Sequence, residues 1–140
     1  MTRQEMKTRK FEAVEKKRCG SHNCAQAVVC TYKDFAGLDE ATSLNVSNAF
    51  GAGMGCQEGT CGALVGAGIV LGMVDKDKNL AMKHMKQVVT RFKQRNGVTQ
   101  CRLLKGRDTG IVLRECPDCV ADAAEFLEEF IFNQASVLEE

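Results

Sequence analysis

A fifteen-residue run without a charge, Thr60 to Val74, constrains the fold of this 140-residue chain more than any other segment. A transmembrane helix needs about 20 apolar residues, so the run is too short to cross a bilayer. It instead predicts a buried helix over residues 61–74. Each glycine inside a helix costs about 1 kcal/mol relative to alanine, so something must offset that cost. The four glycines form two pairs, Gly62 with Gly66 and Gly68 with Gly72, and the members of each pair are four residues apart on one helix face. We therefore expect a neighbouring helix to approach closely at each pair.

The rest of the chain carries helical periodicity and no strong hairpin signal. A single proline and 6% aromatic residues fit poorly with a β-sandwich. We therefore predict one domain over residues 1–140, an all-α compact bundle of about five to six helices with a glycine-rich loop at Gly51 to Gly55. The expected helices are residues 4–18, 24–35, 39 or 40–50, 61–74, 77–95 and 117–137, with a helical turn at 101–104 and a brief strand at 111–113.

Capping residues and apolar positions refine this outline. Ser21 or Asn23 is expected to cap the second helix, and Gly37 to end it. Phe11 and Val14 are expected to face inward from the first helix. The methionines Met54, Met73, Met82 and Met85 are most simply interpreted as core residues.

Charge is distributed unevenly, although the formal net charge is only +1 and gives no reason to expect nucleic-acid binding. Residues 1–18 have a net charge of +4, and residues 115–140 have a net charge of −8. Two interpretations stay open: the terminal helices face each other or present solvated faces, or they form a docking surface for a charged partner.

Eight cysteines are the chemical signature of the chain. No apolar export signal is visible before Cys19, so we expect a cytoplasmic protein. In a reducing compartment a cysteine-rich chain is more typical of metal binding or catalysis than of structural disulfides. The cysteines are spread over the whole chain, so the fold must assemble any site that they form.

The sharpest local motif is Cys116-Pro117-Asp118-Cys119. The two thiols lie three residues apart at the start of a helix, where free N–H groups and the helix dipole stabilise a thiolate. Arg114 would add to this effect. The motif is interpreted either as a dithiol or half of a metal site, or as two unrelated thiols.

Other cysteines and the two histidines are less specific. Cys24 and Cys61 also begin predicted helices, and Cys30 is interpreted as a core residue because it lies about 240° around the helix from Cys24. Cys19 and Cys56 stay unassigned. His22 either tunes a nearby thiolate or has a capping or exposed role, and His84 is expected at the surface.

Three segments resemble the C_GCAxxG_C_C family of redox-active proteins: Asn23 to Val28, Phe50 to Gly55 and Thr60 to Ala67. The family takes its name from a Cys-Gly-Ala-x-x-Gly motif, here Cys61 to Gly66. The resemblance covers nearly the whole chain and implies a helical protein whose redox role rests mainly on its cysteines. It places the four signature cysteines at Cys24, Cys61, Cys101 and Cys119. Related sequence occurs in split-Soret-type cytochromes, but Val120 follows Cys119, so the haem-attachment motif is absent here.

Two functions from different classes follow. In the first, Cys24, Cys61, Cys101, Cys116 and Cys119 form a redox site with thiol–disulfide oxidoreductase-like activity or electron transfer. Cys61 or Cys116 would attack, Cys119 would resolve, and an unidentified redox protein or small thiol would be the partner. In the second, Cys24, Cys61, Cys101 and Cys119 bind an iron–sulfur cluster or structural zinc. A third hypothesis is an interaction subunit whose thiols have no chemical role. The glycine faces would also suit a homodimer.

Overall fold

The computed structural model describes residues 7–139, with side chains to residue 132, and confirms the all-α prediction for that part of the chain. A 3₁₀ turn at Asn48–Phe50 and a π-helical turn at Gly53–Gln57 connect the fourth and fifth helices. Two short helices raise the number above the five to six expected. The helices are α1 (Lys10–Arg18), α2 (Cys24–Thr31), α3 (Lys33–Ala36), α4 (Glu40–Ser47), α5 (Gly62–Asp75), α6 (Lys78–Asn96), α7 (Cys101–Lys105) and α8 (Cys116–Glu139).

Side-chain caps explain why several helices begin where the sequence suggested. Asn23 and Gln26 form a capping box at the start of α2. Asp39 accepts a backbone hydrogen bond at the start of α4, and Asp77 does so at the start of α6. The helix predicted for residues 24–35 is divided near Tyr32 into α2 and α3. Gly37 ends α3, rather than α2, in the left-handed conformation.

The first pair of glycines in α5 allows α2 to pack closely on it, as predicted. A Cβ atom on Gly66 would lie 2.7 Å from the carbonyl oxygen of Ala25, and one on Gly62 would lie 2.4 Å from the Sγ of Cys24. No larger residue fits at either position without moving α2. The contact between α2 and α5 therefore offsets the cost of glycine in a helix.

The second pair of glycines does not act in this way. A Cβ atom on Gly72 would meet nothing within 4 Å, and one on Gly68 would make an ordinary contact with Met85. The prediction of a close helix approach at this pair is therefore wrong. None of the helices in the described part of the chain is both long and apolar enough to cross a membrane.

The two terminal helices face each other, as the first interpretation of the charge pattern expects. Lys10 of α1 forms an ion pair with Glu125 of α8 at 2.9 Å. The backbone N–H of Arg9 and the hydroxyl of Tyr32 both donate to Glu128, which is buried. The charges near the ends of the chain therefore serve partly to join α1, α2 and α8.

Several finer predictions are wrong. Phe11 is 69% exposed because α1 presents Ala13 and Val14 to the core instead. The helix also begins at Lys10, and residues 4–6 of the predicted helix lie outside the described residues. No strand forms at residues 111–113, where the chain folds back and two backbone N–H groups donate to the carbonyl oxygen of Leu104.

The methionines are also less buried than expected. Met54, Met73 and Met82 are exposed, by 52%, 39% and 65%. Only Met85 of the four packs against the core cluster. The hydrophobic periodicity of α6 misassigned Met82 because the apolar stripe that contacts the core is carried by Val88 and Phe92.

Candidate functional site

The five cysteines assigned to the site from the sequence all line one pocket. We call this the cysteine pocket, and the volume that the centre of a water molecule can reach in it is about 10 Å³. Four of the five thiols are buried, and Cys116 is half-buried at the mouth. The residues that line it are Cys24, Cys61, Gly62, Cys101, Leu104, Lys105, Arg114, Cys116 and Cys119.

Helix starts bring these thiols together. Cys24, Cys101 and Cys116 are the first residues of α2, α7 and α8, and Cys61 precedes the first residue of α5. Free backbone N–H groups and the positive end of the helix dipole therefore point toward one space from α2, α5 and α8. This arrangement favours negatively charged thiolates.

An isolated antiparallel bridge holds the loop before α5 against the loop before α7. The backbone N–H of Cys61 donates to Thr99 at 2.8 Å, and that of Cys101 donates to Gly59 at 3.0 Å. Two cysteines forty residues apart in sequence are thereby held side by side at the pocket.

The glycine-rich loop packs against the same region. A Cβ atom on Gly53 would lie 2.4 Å from the Cβ of Cys101, and Gly53 also has a positive φ of 58°. Glycine is therefore required there for both space and backbone conformation. Cys56, in the same loop, is exposed and does not line the pocket.

The thiols of Cys24 and Cys116 form the first pair. A hydrogen bond from Cys116 lowers the pKa of Cys24 to about 6, against the opposing effect of burial, with a smaller contribution from Lys17. The same hydrogen bond, together with burial, raises the pKa of Cys116. The pair therefore holds one proton and one negative charge at neutral pH.

Cys61 and Cys119 form a second pair with the same pattern. Their hydrogen bond lowers the pKa of Cys61 and, with burial, raises the pKa of Cys119. Cys101 lines the pocket without such a thiol partner, and burial raises its pKa. Cys116 and Cys119 therefore influence the pKa values of Cys24 and Cys61 rather than each other's, while the Sγ of Cys119 also donates to the carbonyl oxygen of Arg114 at 3.9 Å.

Basic side chains surround the pocket mouth. Lys105 and Arg114 line the pocket itself, and with Arg107 they also line an adjoining depression that reaches Cys116. Asp122, which is 2% exposed, accepts two hydrogen bonds of 3.0 Å from Arg114 and holds it there. Sequence reasoning named Arg114 but missed Lys105, Arg107 and Asp122, because the charged side chains that reach the pocket depend on how α7, the loop after it and α8 pack together.

The remaining cysteines lie outside the pocket. Cys19 and Cys56 are exposed, and Cys30 is 4% exposed, which confirms its prediction as a buried residue. His84 is not a simple surface residue, since its Nδ1 lies 2.9 Å from an oxygen of Asp75 and its ring stacks on Phe130. That prediction is therefore wrong.

The spacing of the pocket thiols bears on metal binding. Tetrahedral zinc with four cysteine ligands places its sulfurs about 3.8 Å apart. Among the described residues, no three sulfurs of the pocket lie within 4.8 Å of one another. The pocket is therefore arranged as two thiol pairs and a fifth thiol, which does not fit a single zinc ion without rearrangement.

The fold and the site define a class: a helical protein with clustered thiols at the starts of its helices. The sequence profile of a family described as "Putative redox-active protein (C_GCAxxG_C_C)" matches residues 22–130. The chain belongs to this C_GCAxxG_C_C family, as the resemblance of its motifs indicated. No curated protein and no solved structure shows a significant match to the chain.

Proposed function

We propose that this protein exchanges thiols and disulfides at the cysteine pocket, with Cys24 and Cys116 as the reacting pair. The observation that carries the proposal is that Cys24 and Cys116, the first residues of α2 and α8, line the same pocket, with Cys116 half-buried at its mouth and the pKa of Cys24 lowered beside it. Thiol–disulfide exchange needs a thiolate near ambient pH, an accessible sulfur and a second thiol within reach. The pair supplies all three.

Disulfide exchange at this pair proceeds in two displacements. Cys116 passes its proton to Cys24 and attacks one sulfur of a substrate disulfide, and the other sulfur leaves as a thiolate that then takes the proton from Cys24. Cys24 attacks the sulfur of Cys116, which forms the protein disulfide and releases the second substrate thiolate. The protein loses two electrons and the substrate gains them, so a dithiol partner or small thiol must later reduce the protein again.

The second pair and the basic rim support the same chemistry. Cys61 and Cys119 would receive the disulfide from the first pair by a further exchange inside the pocket. Lys105, Arg107 and Arg114 would attract an acidic partner to the mouth. The packing of α1 on α8 also supports a single domain.

The test is to oxidise the reduced, metal-free protein with a small disulfide and to count free thiols. We expect two thiols to disappear in the first phase, with a Cys24–Cys116 crosslink found by peptide mass mapping before any disulfide passes to Cys61 and Cys119. Cys56→Ser is the matched control, because an exposed thiol outside the pocket should not alter the loss. Oxidation confined to Cys19 and Cys56 would contradict the proposal.

An iron–sulfur cluster held by Cys24, Cys61, Cys101 and Cys119 is the second candidate. Cys101 favours it, because this thiol lines the pocket but has no place in the two pairs. A cluster holds its cysteine sulfurs farther apart than a single ion does, which agrees with the absence of any three pocket sulfurs within 4.8 Å among the described residues. Purification without oxygen, followed by a visible spectrum and iron and zinc analysis, decides between the candidates: bound iron with visible absorbance supports the cluster.

A further inference from the structure

A second group of ligating side chains lies outside the cysteine pocket. We call His22, Cys30 and Glu40 the outer cluster. Each of the three offers one ligand atom, and these atoms all lie within 4.8 Å of one another. The Nε2 of His22 is 3.9 Å from an oxygen of Glu40. Among the described residues no other set of three such side chains is so close.

The imidazole of His22 has a buried nitrogen that is free to bind a ligand. Its Nε2 is buried and has no hydrogen-bond partner, which is unfavourable in a folded protein. Its Nδ1 lies 2.6 Å from the hydroxyl oxygen of Ser21. In the tautomer in which Ser21 donates to the carbonyl oxygen of Lys16 and accepts from Nδ1–H, the lone pair of the ring lies on Nε2, as metal binding requires.

The other two ligands are also available. Cys30 is a buried free thiol in the last turn of α2. One oxygen of Glu40 pairs with Lys33, and the other faces His22. Because Asp39 caps α4 directly before Glu40, the backbone from which this carboxylate extends is fixed by a helix start.

We propose that His22, Cys30 and Glu40 bind a single zinc ion, independently of the chemistry in the cysteine pocket. One nitrogen, one sulfur and one oxygen ligand suit zinc, and a fourth tetrahedral position stays open to water. Ligand atoms around tetrahedral zinc lie about 3.3–3.6 Å apart, so closure requires shifts of about 1 Å. The ion joins the loop before α2, the end of α2 and the start of α4.

The test uses zinc alone with the full-length, reduced, metal-free protein. Zinc bound after dialysis is measured for wild type, Cys30→Ser, His22→Gln and Glu40→Gln. We expect each variant to bind one zinc fewer per chain, or to bind that zinc at least 10-fold more weakly. The controls are Cys56→Ser and His84→Gln, which remove a thiol and an imidazole elsewhere and should bind as wild type does.

Two further readouts keep the outcome decisive. Cobalt replacing zinc should show a thiolate-to-metal absorption band that disappears in Cys30→Ser but persists in Cys24→Ser. Glu40 is half exposed, so Glu40→Gln should fold even if Cys30→Ser does not. Wild-type zinc binding in Cys30→Ser and Glu40→Gln, or loss of all zinc in Cys24→Ser alone, would overturn the outer site. Neither result depends on whether Cys24 and Cys116 exchange disulfides.

Discussion

The cysteine pocket and the outer cluster each take one cysteine from α2, and the two thiols differ in chemistry although both are buried. Cys24 is 3% exposed and Cys30 is 4% exposed. A thiol partner and a helix start lower the pKa of Cys24 to about 6, whereas burial raises the pKa of Cys30. The comparison indicates that the neighbours of a buried thiol, more than burial itself, set the direction in which its pKa shifts.

The largest expected effect concerns the thiols themselves. Cys24→Ser should abolish formation of the two-thiol disulfide, because Cys116 then has neither a base nor a resolving partner. Cys30→Ser should leave that reaction unchanged. Free-thiol counts after mild oxidation measure both variants, and equal losses in the two would break the distinction between the regions.

Asp122 provides the next test, on the pocket side alone. It accepts hydrogen bonds from Arg95, Asn96 and Arg114 while almost fully buried. Asp122→Asn should lower the free energy of unfolding by about 2–3 kcal/mol, less than for a fully buried ion pair because both arginines are partly exposed. Zinc binding by the outer cluster should persist.

The matched control for this variant is Asp108→Asn. Asp108 forms a similar pair with Arg102, but on the surface, where its side chain is 60% exposed. Its removal should change stability little. Urea unfolding of both variants gives the comparison, and a larger loss in Asp108→Asn would contradict the assigned role of Asp122.

The packing of α2 on α5 should affect both regions at once. Gly66→Ala places a methyl group against the backbone of α2 and should destabilise the protein by about 1–3 kcal/mol. Gly72→Ala lies in the same helix with free space and should stabilise it by about 0.5–1 kcal/mol. Thermal unfolding checks the pair of variants, and equal shifts would contradict the close approach.

The smallest effect is a pH dependence. Because the pKa of Cys24 is lowered to about 6, the thiolate predominates at pH 7 and is lost as the pH falls through that value. The reaction rate with a small disulfide should therefore fall about tenfold between pH 7 and pH 5. The stability that this thiolate contributes is complete above the unfolded thiol pKa and is lost on the same descent. A rate that does not change over this range would show that the Cys24 thiolate is not the base that takes the proton of Cys116.

Much of the fold follows from local patterns in the sequence. Asn23, Asp39 and Asp77 begin helices as predicted, because capping depends only on residues a few positions away. The burial of Phe11 and Met82 was mispredicted, because periodicity identifies an apolar face but not which neighbour covers it. The same limit explains Gly72, whose spacing matches that of Gly66 while no helix lies against it.

The sequence by itself determined the all-α class, the family and the five cysteines that line the pocket, since each is carried by periodicity or by a local motif. Only the tertiary structure decided which thiols pair. Cys24 meets Cys116 across ninety-two positions, through contacts of α2, α5 and α8 that no local spacing encodes. The outer cluster is likewise a product of packing, because it unites a loop, a helix end and a helix start that the sequence keeps apart.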